Sequence, residues 1–132
     1  MPVIFQERIE RADLQANPGM LFVFGDNEAR RGRGGQAGAC RGEPNSVGIA
    51  TKRAPSTSES SMWSDADFDR CSAIIDADMA PLFAHARAGG TVIFPKAGVG
   101  TGLSQLPKRA PRLMEHIRQR VRELQKAQET SQ

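Results

Sequence analysis

Apolar residues along this 132-residue chain gather in short unbroken runs bounded by glycine or proline, and in two longer stretches they recur every three or four positions. The clearest run is Met20-Leu21-Phe22-Val23-Phe24 between Gly19 and Gly25; without polar alternation, it predicts a strand buried on both faces of an α/β sheet. Val3 to Phe5 predicts a short edge strand, and Arg11 to Ala16 a helical turn stopped by Asn17-Pro18-Gly19. Arg30 to Arg41 reads RRGRGGQAGACR, a glycine-rich turn leading into small residues that pack a helix closely on a sheet, with Glu43-Pro44-Asn45 ending it. Ser46 to Thr51 predicts a further strand, interrupted by Gly48, and Thr91 to Pro95 another buried one.

Between these last two strands, Pro55 and the polar stretch STSESS predict a loop. Ser64 with Asp67 resembles a capping box, and Phe68, Cys71, Ile74, Ile75, Met79, Leu82, Phe83 and Ala86 mark one helix of about five turns, bent at Pro81 and stopped by Gly89-Gly90. Leu113, Ile117, Val121 and Leu124 form the apolar stripe of a closing helix that frays into QKAQETSQ. Strands alternating with helices predict a three-layer α/β/α domain with a mixed, largely parallel sheet. One domain over residues 1–126 is expected, with a polar tail over 127–132.

Composition changes this picture little. Apolar residues make up 39% and charged residues 25% of the chain, and no apolar run approaches the roughly 18 residues of a spanning helix, so no membrane partner is expected. The opening MPVIFQERIE lacks the basic and apolar stretches of a secretory signal, and two cysteines make no disulfide scaffold, so the cytoplasm is the expected compartment. The net charge of +3 is modest, and only 5% of residues are aromatic, which leaves little with which to stack bases. A small basic module contacting nucleic acid through Arg30, Arg31, Arg33, Lys52 and Arg53 is therefore the least favoured reading.

The glycines carry more information. They cluster at 25–38 and 98–102, each cluster directly after a predicted buried strand. In a parallel sheet, ligands settle beyond the carboxyl ends of the strands, and glycine-rich turns bring main-chain N–H groups close to phosphate oxygens. Neither cluster completes a known phosphate motif: Gly32-x-Gly34-Gly35 lacks the spacing of a dinucleotide fingerprint, and Gly98-x-Gly100-x-Gly102 lacks the Lys-Ser/Thr ending of a P-loop. Taken singly, each reads as readily as a tight turn. Together they point to one crevice that accepts a pyrophosphate.

The order of these parts, from the strand ending at Gly25 through Asn27, the cluster Gly32 to Gly38, Ile93-Phe94-Pro95, Gly98 to Gly102 and Leu106-Pro107 to a closing helix, resembles the macrodomain family and its phage-type relatives. The resemblance covers roughly residues 20–124. It implies a three-layer α/β/α fold that binds ADP-ribose or a related nucleotide, in some members with hydrolysis of an ADP-ribosyl linkage. By this likeness Asn27 lies near the distal ribose, Gly32, Gly34 and Gly35 beside the ligand, and Gly98 to Gly102 around the diphosphate. The chain departs from that family in lacking an early Gly-Asp-Ile near Phe5, so no residue is assigned to adenine.

Asp26 and Asn27 are the candidate catalytic pair, a carboxylate to orient a ribose hydroxyl or activate water and an amide to read the sugar. Both residue types equally cap helices and close turns. Expected ligand-binding residues are Gly25, Gly32, Gly34, Gly35, Gln36, Thr51, Lys52, Lys96, Gly98, Val99, Gly100, Thr101 and Gly102, with Lys52 and Lys96 as phosphate-neutralising cations or, equally, solvated lysines. His85 and His116 read as packing or surface residues, and Cys40 and Cys71 as buried thiols. Trp63 is either a lid over a base or a core residue. No cofactor and no metal is expected. The partner is a small nucleotide ligand that is either hydrolysed or only captured, as by a sponge or sensor of a signalling nucleotide.

Overall fold

A computed structural model describes residues 3–130, with side chains to residue 127. Four strands, β1 (Val3–Gln6), β2 (Leu21–Asp26), β3 (Ser46–Ala50) and β4 (Val92–Pro95), form one sheet in the order β1-β4-β2-β3. Every strand pair is parallel, so the sheet is wholly parallel where a mixed one was expected. The sole antiparallel pairing among the described residues is an isolated bridge, Lys52 to Met62, outside the sheet.

The unbroken apolar runs reach both faces because successive strand side chains point to opposite sides. Val23, Val92 and Phe94 enter one core with Ile75, Met79 and Leu82 of α3 (Phe68–Arg87) and Leu113, Ile117 and Leu124 of α5 (Pro111–Thr130). Phe22, Phe24 and Ile93 enter the other, with Leu14 of α1 (Arg11–Ala16) and Ala37 and Cys40 of α2 (Ala37–Cys40). Helices thus cover the sheet on both sides, and β1 is one of its two edge strands, with Ile4 and Phe5 exposed.

Several local expectations need correction. The helix after the first glycine cluster is a single turn, because Gly42 at φ 97° breaks the chain two residues beyond Cys40. Ser64 makes no side-chain cap; the segment opens as a 3₁₀ turn, Asp65–Asp67, ahead of α3. The Asp65 carboxylate instead accepts the N–H groups of Arg112 (2.9 Å) and Leu113 (3.1 Å) and so caps α5 from across the fold. The closing helix does not fray at residue 125: it continues to Thr130, and Ala127, assigned to the polar tail, is buried in the core. Residues 131 and 132 of that tail lie outside the described residues. No helix of the described chain is long and apolar enough to cross a membrane.

Candidate functional site

With all strands parallel, the carboxyl ends of β2, β3 and β4 share one edge of the sheet. The segments leaving that edge enclose a cavity of about 380 Å³, within the range of small-ligand sites. Gly25, Asp26 and Asn27 follow β2, Thr51 and Lys52 follow β3, and the second glycine cluster follows β4. The first cluster, the short α4 (Leu106–Arg109) with Ser104 just before it, and Pro55 and Thr57 complete the walls.

Of the residues singled out from the sequence, Gly25, Asp26, Asn27, Gly32, Gly34, Gly35, Gln36, Thr51, Lys52, Gly98, Val99, Gly100, Thr101 and Gly102 all line this one cavity. Lys96 does not. Its side chain is 66% exposed and pairs with Glu7 at 3.4 Å on the outer surface.

The second loop depends on positive-φ backbone. Gly100 sits at φ 86°, and a Cβ there would come within 2.6 Å of Leu106 Cδ1, so only glycine lets the loop lie against α4. The Ser104 hydroxyl is hydrogen-bonded to that of Thr51, and Thr51 Oγ1 also reaches the Asp26 carbonyl (3.2 Å). These bonds fasten the second loop to the ends of β2 and β3.

Asp26 is buried, and its carboxylate is ion-paired with Arg41, while Arg30 stands 3.6 Å away. A methyl group on Gly48 of β3 would collide with this carboxylate, which explains the glycine that interrupts the strand. Arg41 also donates from Nε to the Gly32 carbonyl (2.7 Å) and lies over the Phe24 ring. Arg30, held at φ 56°, pairs with Asp78 of α3 at 2.8 Å, and the other Asp78 oxygen accepts the Ala50 N–H. Asp26 is therefore an electrostatic anchor for the first loop, with both oxygens facing guanidinium groups.

Asn27 donates from Nδ2 to the Arg31 carbonyl (2.8 Å), whereas its buried Oδ1 has no partner. Lys52 is only 8% exposed, and burial pulls its amine below the ordinary lysine value. Its Nζ donates to the Ser56 carbonyl at 3.2 Å.

Trp63 belongs to the core and forms no lid: its indole N–H donates to Glu28 Oε2 (2.8 Å). Burial alone would raise the Glu28 carboxyl, but hydrogen bonds from Arg70 and Trp63 outweigh it and hold the group low. Both thiols are buried; desolvation pushes Cys40 up to about 11 and Cys71 upward as well, leaving neither as a nucleophile. His116 pairs with Asp76 away from the cavity, and His85 packs beside Gly90. Among the described residues no cluster of side chains has the makings of a metal site.

Residues 4–120 match the family model described as "Family of unknown function (DUF7831)". The chain belongs to that family. The matched span runs from β1 into α5 and takes in every residue lining the DUF7831 cavity. No curated protein and no solved structure matches the chain.

Sequence reasoning passed over Arg41, Ser104 and Thr57. Arg41 closes the stretch RRGRGGQAGACR and carries no mark of a role in the sequence; its partner Asp26 is fifteen residues earlier, and only the fold brings them together. Ser104 lies just past the second cluster, and its bond to Thr51 spans 53 positions.

Proposed function

We propose that the cavity binds the diphosphate of ADP-ribose or a related nucleotide. The observation that carries this reading is the meeting of both glycine loops at the carboxyl edge of a parallel sheet, in one cavity that also holds a buried lysine and an unpartnered asparagine oxygen. Main-chain N–H groups of such loops suit phosphate oxygens, Lys52 adds a positive charge, and Asn27 Oδ1 needs a donor that a ligand hydroxyl supplies. The macrodomain-like order of strand, loop and helix supports the same class of ligand.

Capture fits better than hydrolysis. A general base has to take a proton, and the Asp26 carboxylate is engaged by Arg41 and faced by Arg30. The nucleic-acid reading loses ground because Arg30 and Arg53 are spent on Asp78 and Asp67.

Thermal unfolding with ADP-ribose, ADP, AMP, NAD and cyclic nucleotides tests the proposal. A diphosphate ligand at about 100 times its dissociation constant adds roughly 2.7 kcal/mol to stability. A shift with diphosphates is expected, with no product released from ADP-ribosylated protein. An unfolding temperature unmoved by every diphosphate overturns the reading, and release of ADP-ribose by the pure protein overturns its non-catalytic part.

A further inference from the structure

Three large apolar side chains are exposed among the described residues: Ile4 and Phe5 on the edge strand β1, and Leu103. Of these, Leu103 lines the cavity, at 54% exposure. It directly follows the second glycine cluster, and its Cδ1 lies 3.4 Å from where a Cβ on Gly34 would stand. It therefore reaches the first glycine loop at a point where that loop has no side chain. A diphosphate held between the two loops has Leu103 beside it.

No aromatic ring lines the cavity among the described residues, and Val99 is buried, which leaves Leu103 the largest apolar side chain open to an occupant. Polar side chains on the same walls are already engaged by the protein. Thr101 Oγ1 donates to the Ala97 carbonyl (3.1 Å), the Ser104 hydroxyl is bonded to that of Thr51, and Gln36 Nε2 donates to the Ile9 carbonyl (2.8 Å). The Asp26 carboxylate is held by Arg41. Arg31 and Arg33 also line the cavity, and their charge suits phosphate oxygens.

The phosphates and sugar hydroxyls of a nucleoside diphosphate call for charge, donors and acceptors; its apolar surface is the face of the base. Covering an exposed leucine with that face removes apolar area from water and favours binding. Telling one base from another takes donors and acceptors aimed at its edge, and groups already bonded within the protein do not supply them. We propose that Leu103 is the base-contacting residue of the cavity, and that the ligand class is nucleoside diphosphates held by the face of the base, with little regard to which base it is. This rests on the diphosphate reading above and widens its ligands from adenine nucleotides to those of guanine and uracil.

Calorimetric titration with ADP, GDP, UDP and ribose 5-diphosphate tests the inference, since all four share the ribose and the diphosphate and the last has no base. The three nucleotides should bind within about fivefold of one another, and ribose 5-diphosphate about tenfold more weakly or worse. Leu103→Ala should weaken each nucleotide about fivefold and ribose 5-diphosphate less than about twofold, whereas Leu103→Met, which keeps the apolar reach, should stay within about twofold of wild type. A spread among the nucleotides beyond about fivefold shows that the edge is read and overturns the inference. Ribose 5-diphosphate binding as tightly as the nucleotides overturns it too, and either result leaves the diphosphate reading standing. Leu103→Ala that weakens all four ligands alike, or none, overturns the base contact. Leu103 is exposed, so Leu103→Ala should keep the wild-type unfolding temperature, and the wild-type series tests the ligand class without any variant. Failure of all four ligands to bind overturns the reading and the inference together.

Discussion

Arg41 Nε donates to the Gly32 carbonyl oxygen at 2.7 Å, so a side chain nine residues along the chain fixes the first glycine loop. The same guanidinium is ion-paired to buried Asp26, and the loop is thereby referred to the end of β2. Arg41→Ala removes the grip on Gly32 and leaves the Asp26 carboxylate buried with Arg30 alone nearby, at 3.6 Å. Removing one partner of a largely buried pair costs about 3 kcal/mol, to be read by urea unfolding. Arg41→Lys keeps the charge but not the planar fork, and should recover part of the stability while binding ADP-ribose several-fold more weakly than wild type.

Lys52 makes the unliganded protein sensitive to alkaline pH. Burial lowers its pKa in the folded state, so the unfolded chain binds the proton more tightly there. Folding therefore carries a penalty below the lowered value, and that penalty disappears as pH rises toward the unfolded value of about 10.4. The Lys52 contribution makes stability rise with pH through that window. Comparing wild type and Lys52→Met by thermal unfolding across it isolates the slope. At neutral pH the empty Lys52→Met protein should be more stable by about 1 kcal/mol, or ~4 °C in Tm.

Gly98 and Gly100 separate two costs of substitution in one loop. Gly98 lies at φ 80° with open space where a methyl group would stand, so Gly98→Ala exposes the backbone cost alone, about 1 kcal/mol. Gly100→Ala adds a collision with Leu106 and should cost more, about 2–3 kcal/mol by denaturant titration. It should also weaken ADP-ribose binding more than Gly98→Ala does, because its relief displaces α4 and the second loop.

Asp65 should matter to stability without touching the cavity. Its carboxylate accepts two N–H groups at the start of α5, and Asp65→Ala should lose about 1 kcal/mol in chemical denaturation, as other lost caps do. Affinity for ADP-ribose should stay at the wild-type value.

The parts of the fold legible in the sequence were those dictated by local periodicity. The runs at 20–24 and 91–95 announced strands buried on both faces, and the stripes of α3 and α5 announced helices packed on a core. The capping of α5 was not legible, since Asp65 and Leu113 are neighbours only after folding and Ser64 offered a more obvious local partner. Around the cavity the glycines marked themselves by clustering after strands. Lys52 and Lys96 looked alike in sequence, each ending a strand, and only contacts distant along the chain tell them apart. The Lys52 backbone is clasped by Glu28 and Met62 and its side chain driven inward, whereas Lys96 turns out to Glu7.

The strand order has a consequence for how the chain comes together. Among the described residues β4 is the only neighbour of β1, and it is also the inner neighbour of β2, so residues 92–95 are the seam between β1 and the rest of the sheet. While a nascent chain ends before that seam, β2 and β3 have each other but β1 has nothing to pair with. Arrival of β4 closes the sheet by contacts spanning some ninety residues, a slow kind of step. The second wall of the pocket emerges directly behind it, so the protein acquires its pocket only as it acquires its sheet.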